Sequence, residues 1–251
     1  MLEPLAARYA TWLGLPAQST VDTSDEDPAT VRAMPLVLRI ERQDPAPRTA
    51  LLEAAATASL AVCLAPEAEP EGEWHEEIRL WLDNRIRKVS RRARGAHWDA
   101  VQELPGITVS HQGAQVRALV PGLVAESPKV LSRLQISGSE LPDDTPGPPP
   151  DDRPVLWLNP EVEMTVGKAA AQVGHATMIG AALLPPADLA RWSDQGYACA
   201  VRTATRADWA KLHPGPNPAT AWRERRVAAV RDAGFTEVAP GTVTVLFSWP
   251  H

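Results

Sequence analysis

The stretch Gly167-Lys168-Ala169-Ala170-Ala171-Gln172-Val173-Gly174-His175-Ala176 sets a lysine, a primary amide and an imidazole at offsets i, i+4 and i+7. On a helix these offsets fall on one stripe, so the three groups share a face. Two later pieces, Asp232-Ala233-Gly234-Phe235-Thr236 and Pro240-Gly241-Thr242-Val243-Thr244, bring a carboxylate and hydroxyls into a Gly/Pro-punctuated turn before a strand. Together they can build a polar pocket on a mostly apolar scaffold, suited to proton transfer and to holding a developing anion. Lys168 at a helix start adds to the positive end of the helix dipole, which favours a phosphate or an oxyanion. Each piece alone has a plainer reading. His175 in an alanine-rich helix reads as a satisfied core histidine, Lys168 as an exposed charge, and Asp-Ala-Gly as an ordinary turn.

The elements that must carry these groups can be read on both sides of a proline-rich stretch. Leu141 to Pro154 holds prolines that fix φ and remove backbone donors, so residues 142–153 are expected to form a semi-rigid linker. Beyond it, Val155 to Leu158 reads as a buried strand and Lys168 to Leu184 as a helix. That helix is expected to pack through Val173, Ala176, Ile179 and Leu183, with Gly180 admitting a close neighbour. Ala187–Ser193 and Ala207–Leu212 read as shorter helices, the latter cut off by His213-Pro214-Gly215-Pro216. Tyr197–Arg202, Arg226–Val230 and Val243–Phe247 read as strands. Alternating strands and helices predict a layered α/β domain over 154–251, with a mixed four-stranded sheet and helices on both faces.

The first half repeats this order. Pro35-Leu36-Val37-Leu38 parallels Pro154 to Leu158, and Thr49 to Ala58 parallels the Lys168 helix. Ala93 to Ala100 parallels Ala204 to Lys211, and Gln112 to Pro121 parallels Pro240 to Pro250. Four matches in the same order point to a diverged internal duplication, with a second α/β copy over residues 34–141. Residues 1–33 read as a short amphipathic helix, Leu2 to Leu15, followed by an acidic flexible connector, Ser19 to Pro28.

Composition excludes some classes. With 44% apolar and 22% charged residues the chain is an ordinary globular protein. Its net charge of -6 is not that of an overall nucleic-acid binder, although a local basic patch can still dominate one surface. Cys63 and Cys199 are far apart with no metal-ligand spacing, so two buried thiols are expected, with no disulfide, no metal and no cofactor. No secretory leader and no apolar run of spanning length is visible, so a cytoplasmic protein without a membrane partner is expected.

Met164, Gly167-Lys168 with Ala170-Ala171-Gln172 and His175-Ala176, Asp232-Ala233-Gly234 with Thr236, and Pro240-Gly241-Thr242-Val243-Thr244-Val245 ending at Pro250 form three blocks in a fixed order. In these the C-terminal half resembles the type 2 (archaeal and eukaryotic-type) peptidyl-tRNA hydrolases. The resemblance implies a compact α/β fold with a mixed four-stranded sheet, and hydrolysis of the ester joining a peptide to the 3′ end of transfer RNA. The partner it implies is peptidyl-tRNA. It also implies homodimers, unless the fused second copy replaces the partner and gives a monomeric pseudo-dimer. The sequence departs from the family at Asn159-Pro160-Glu161-Val162, where an Arg-x-Asp-Leu run is usual, and at the inserted His213–Pro218 segment. In the first half, Thr49, Glu53 and Ala56 stand in place of the lysine, glutamine and histidine, so that copy is expected to be catalytically dead.

Such an ester hydrolysis needs a water, a base and a cationic or donating group at the oxyanion. Lys168, His175 and Asp232 are the catalytic candidates, with Asp232 or His175 as base and Lys168 as the charge. Gln172, Thr236, Gly241, Thr242 and Thr244 are the candidate substrate-binding residues. No Gly-x-Ser-x-Gly turn and no Cys/His motif occurs, so direct water attack is expected rather than a covalent intermediate. Arg85, Arg87, Lys88, Arg91, Arg92 and Arg94 form a run of six cations without an acid. They read either as a charged edge strand or, as favoured here, as a track for the transfer RNA backbone. Arg223, Arg225, Arg226 and Arg231 can extend it. The competing class is a tRNA- or ribosome-binding protein that keeps the hydrolase fold without the activity.

Overall fold

The computed structural model describes residues 1–136 and 140–250. The N-terminal segment forms α1 (Glu3–Gly14) and the single turn α2 (Ala17–Thr20). A first body follows: β1 (Arg32–Arg39), α3 (Arg48–Leu64), α4 (His75–Leu82), β2 (Lys88–Ala93), α5 (Ala96–Val101), β3 (Gly106–His111), β4 (Ala114–Leu119), β5 (Gly122–Leu123) and α6 (Lys129–Ser132). The second body runs β6 (Val155–Leu158), α7 (Val166–Leu183), α8 (Pro186–Asp194), β7 (Ala200–Thr203), α9 (Arg206–Leu212), α10 (Pro218–Arg225), β8 (Val227–Arg231) and β9 (Val243–Ser248).

The two sheets share one topology. In the first the order is β2-β1-β4-β3, with β5 pairing β1; in the second it is β7-β6-β9-β8. In both, the first two strands in sequence pair in parallel and the remaining pairings are antiparallel. This is the mixed α/β architecture expected, and a second α/β body with matching order fits a duplication.

Helices cover both faces of each sheet. On the second sheet, Leu156, Val230, Val245 and Phe247 face the core that holds α7, while Val227, Ala229 and Leu246 face Trp209 and Leu212 of α9. On the first sheet, Leu36, Leu38 and Val116 join the α3 side, and Val37 and Leu119 pack on Trp98 and Leu131 of α5 and α6.

The central helices explain why the bodies stay together. In α3, 13 of 17 residues are buried, and in α7 13 of 18 are buried, so neither helix has a solvated face. A helix that is apolar all round must be covered all round. Each is covered by its own sheet on one side and by the other helix on the other, and one continuous core spans both bodies. Small residues make this approach possible. A Cβ on Gly174 would sit 2.4 Å from Ser59 Oγ, and one on Gly180 would sit 2.4 Å from the Phe247 ring. The close neighbour expected at Gly180 is thus Phe247 of β9.

Some sequence expectations shift. The strand read from Tyr197 begins only at Ala200, because Gly196 and Tyr197 take left-handed φ of 62° and 57° in the turn that closes α8. Helix α10 was not expected, although Asn217 caps it by accepting from Thr220 N at 3.1 Å and Pro218 starts it. Helix α9 ends at Leu212, as the His213–Pro218 insertion requires. The acidic stretch after α1 is tied down rather than loose: Thr20 is fully buried and its hydroxyl donates to Ala17 O and Ala233 O. The linker has no regular structure among its residues 142–153 and lies across both bodies, with Asp144 accepting from Thr49 and Gly147 O from Arg202. Among the described residues no helix is long and apolar enough to cross a membrane.

Because Gly174 lies where α7 meets α3, Gly174→Val should overpack that contact. A loss of about 2 kcal/mol of unfolding free energy is expected from urea titration. An unchanged midpoint would mean that the two helices part readily.

Candidate active site

Strand β8 shifts register between Val230 and Arg231, immediately before Asp232. Asp232 N donates to Thr242 O at 2.8 Å and Gly241 N to Asp232 O at 3.0 Å, closing the loop onto the start of β9. Gly234, at φ 90°, lets its N–H reach Asp232 Oδ1 at 2.8 Å, where a Cβ would collide with Pro240 at 2.5 Å. The loop is pinned to α7 as well. Glu237 accepts from Thr165 N at 2.9 Å and from Thr165 Oγ1 at 2.7 Å, and Thr165 caps α7 by accepting from Lys168 N.

These restraints bring together groups 60 or more residues apart. Lys168 Nζ donates to Asp232 Oδ2 at 2.6 Å and to Thr236 Oγ1 at 2.9 Å. Gln172 Nε2 donates to the same Asp232 Oδ2 at 2.8 Å, while Gln172 Oε1 accepts from Thr244 Oγ1 at 2.5 Å. Thr244 therefore sets which way the amide points, and Asp232 accepts from an ammonium, an amide and a backbone N–H. Gln172, Asp232 and Thr244 are buried, so each interaction acts where water competes little.

A cavity of about 620 Å³ opens on this cluster. Lys168, Gln172, His175, Asp232 and Thr236 line it from the second body, and Arg85, Arg87 and Lys88 from the first. Tyr9 and Trp12 of α1 form part of the wall. Three of the expected substrate-binding residues lie outside this lining, as do Arg91, Arg92 and Arg94 of the basic run. Thr244 stands behind Gln172. Gly241 spends its N–H on Asp232 O, and Thr242 Oγ1 donates to Ala239 O at 2.7 Å, so both shape the loop instead of offering donors to a ligand.

The basic run is dispersed by the fold. Only Lys88–Ala93 is strand, at the edge of its sheet, and Arg85, Ile86 and Arg87 precede it. Arg85 Nη1 meets Asp25 at 3.1 Å and Arg87 Nη1 donates to Glu26 at 2.8 Å. The Arg87 guanidinium holds the Glu26 carboxyl below its ordinary range. Arg91 Nη1 donates to Leu134 O at 3.0 Å, and Arg92 to Gln135 Oε1 at 2.9 Å. Arg94, just past β2, is half-buried. Of the second cluster, Arg231 donates to Trp12 O, Leu13 O and Leu15 O at the end of α1, and Arg225 to Lys211 O and His213 O. Those two arginines fasten elements together rather than forming an open track.

Lys88 has a different setting from its neighbours. Its Nζ lies 3.0 Å from His175 Nδ1 and 3.1 Å from Met178 Sδ, and 5.1 Å from the centre of the Trp81 ring. Burial pushes the Lys88 amine down to about 7. Burial, then the positive charges of Lys88 and Lys168, hold the His175 imidazole well below 6.5. No sequence signal separated Lys88 from the arginines flanking it. The acids Asp25 and Glu26 at the cavity edge were equally invisible as site residues.

The equivalent helix of the first body lacks this arrangement. Glu53, in the place of Gln172, accepts from Val201 N at 2.9 Å and Arg202 Nη1 at 3.0 Å and meets His111 Nε2 at 2.9 Å. Its carboxylate is consumed in joining the two bodies.

Residues 153–251 match the sequence model of the family described as Peptidyl-tRNA hydrolase PTH2. The match covers the second body and includes every residue of the Lys168–Asp232 cluster.

The displaced bases bear on stability. A base that holds fewer protons folded than unfolded makes the folded state gain stability with rising pH between its two values. For Lys88 that window runs from about 7 to the ordinary 10.5, and for His175 it ends at 6.5. The urea midpoint of the protein is therefore expected to climb between pH 7 and 10 relative to Lys88→Met. Parallel pH profiles for the two proteins would refute the displacement of Lys88.

Proposed function

We propose that the chain hydrolyses the ester between a peptide and the 3′ end of transfer RNA, by direct attack of water in the cavity at Asp232. The observation that carries this reading is the 2.6 Å contact of Lys168 Nζ with Asp232 Oδ2 on the cavity wall. The family match over the same residues supports the substrate.

In this reading Asp232 orients a water and takes its proton as the water oxygen bonds to the ester carbonyl carbon. Lys168, held 2.6 Å from the carboxylate, faces the negative charge that develops on the carbonyl oxygen. The carbon to 3′-oxygen bond then breaks, and the proton on Asp232 passes to the leaving 3′-oxygen. Water, proton and leaving group balance without a covalent enzyme intermediate. Gln172, oriented by Thr244, keeps Asp232 in place through the cycle, and Thr236 holds the Lys168 amine. The first body supplies Arg85 and Arg87 at the cavity, where RNA phosphates would compete with Asp25 and Glu26 for their guanidinium groups.

Release of a labelled N-blocked aminoacyl group from transfer RNA tests the assignment. Lys168→Ala and Asp232→Asn should each lower kcat by about 10²-fold or more, with circular dichroism unchanged. Absence of turnover by the unaltered protein would favour the binding protein without activity. Arg85→Gln with Arg87→Gln should raise KM and reduce the slope of log affinity against log salt by about one per cation. An unaltered salt slope would remove those arginines from the RNA contact.

A further inference from the structure

We infer that Lys88, from the edge strand of the first body, is a positioning residue that fixes the tautomer of His175 so that its Nε2–H is the hydrogen offered to the cavity. This deepens the hydrolase reading and rests on it for the reaction that the donor serves.

The geometry around Nζ is that of a donor on every side. An ammonium has three N–H bonds and no lone pair. Lys88 Nζ has three electron-rich neighbours: His175 Nδ1 at 3.0 Å, Met178 Sδ at 3.1 Å and the face of Trp81 at 5.1 Å from its centre. Toward the ammonium all three accept, so while Lys88 holds its proton Nδ1 is the acceptor nitrogen of the imidazole. A neutral ring with Nδ1 accepting carries its proton on Nε2. The same conclusion follows from charge, because two cations 3.0 Å apart repel strongly in a site with little water. Below about 7, where Lys88 keeps its proton, His175 is the group that yields its charge.

The pair belongs to one side of the molecule only. Leu36 and Leu156 face the shared core from equivalent strands and pair with Ser90 and Val201, and Trp81 and Trp192 donate to Arg87 O and Ala198 O, so Cys199 is the counterpart of Lys88. The helix alignment makes Ala56 the counterpart of His175. In the other body a thiol and a methyl group stand in place of the amine and imidazole, so ordinary packing of a strand on a helix does not require them. Among the described residues the pair occurs only beside the Lys168–Asp232 cluster, and its histidine lines the same cavity.

With Nε2 protonated, His175 cannot take a proton from water there, and Asp232 is left as the base. His175 instead donates toward the carbonyl oxygen of the ester as negative charge builds on it. The first body thus completes the site of the second.

The experiment uses the full chain labelled with ¹⁵N-histidine. Two-bond ¹H–¹⁵N correlations at pH 6, below the value at which Lys88 loses its proton, report the tautomer of each ring, with His175 assigned through His175→Gln. The Nε2–H form is expected in the unaltered protein. Lys88→Met, which replaces the amine by an apolar side chain of similar length, should shift His175 away from that single form and lower kcat by about 10²-fold with KM little changed. Lys88→Arg, which still donates, should recover part of the activity. An unchanged His175 tautomer in Lys88→Met overturns the inference. So does an altered tautomer with full kcat. If the unaltered protein shows no turnover, the hydrolase reading fails, while the tautomer comparison still decides whether Lys88 governs the ring.

Discussion

The close packing of α3 on α7 is the constraint from which the rest follows. Both helices are too apolar and too rich in alanine and glycine to leave a face in water, and each sheet can cover only one side of its own helix. The remaining side has to be covered by something of the same kind. The two helices cover each other, so the two bodies share one core. That choice also decides which strands cross over. Helix α7 lies against β2 of the first body, and α3 against β7 of the second.

The crossing strands carry different cargo. At β7, Arg202 reaches Glu53 in a buried ion pair joined by His111 and the Val201 N–H. At β2, Lys88 reaches His175 with no acid to neutralise it among the contacts described. A buried charge that is fully paired stabilises an interface or costs little, whereas one beside an imidazole and a thioether is an expense to the fold. The two crossing strands thus serve different ends, one holding the assembly together and the other building a costly polar site.

Much of the second body was legible before any coordinates. The i, i+4, i+7 stripe on α7 holds because helical periodicity is local, and Lys168, Gln172 and His175 all line the cavity. Asp232-Ala233-Gly234 could be read as a turn because an Asx side chain and a left-handed glycine are local devices, and Gly234 takes that conformation. The boundaries of β7 and the existence of α10 were harder, since the first depends on a left-handed Tyr197 and the second on a cap within a proline-rich insertion. Gly241 and Thr242 looked like ligand donors because a sequence names donors without saying which acceptor is nearer. In the folded loop that acceptor is its own backbone.

Periodicity and turn chemistry in the sequence by themselves determined the α/β order of both halves, the polar stripe of α7 and the residue types available for acid–base work. Tertiary structure alone decided which cations meet which partners. Six positive charges in one run are alike as a string, yet Arg85 and Arg87 face acids of the N-terminal segment, Arg91 faces a carbonyl, and Lys88 enters the cavity. The physical reason is that the reach of a long side chain is set by the packing beneath its strand. That packing comes from residues 80 to 90 positions away on the partner helix, beyond the range of any local pattern.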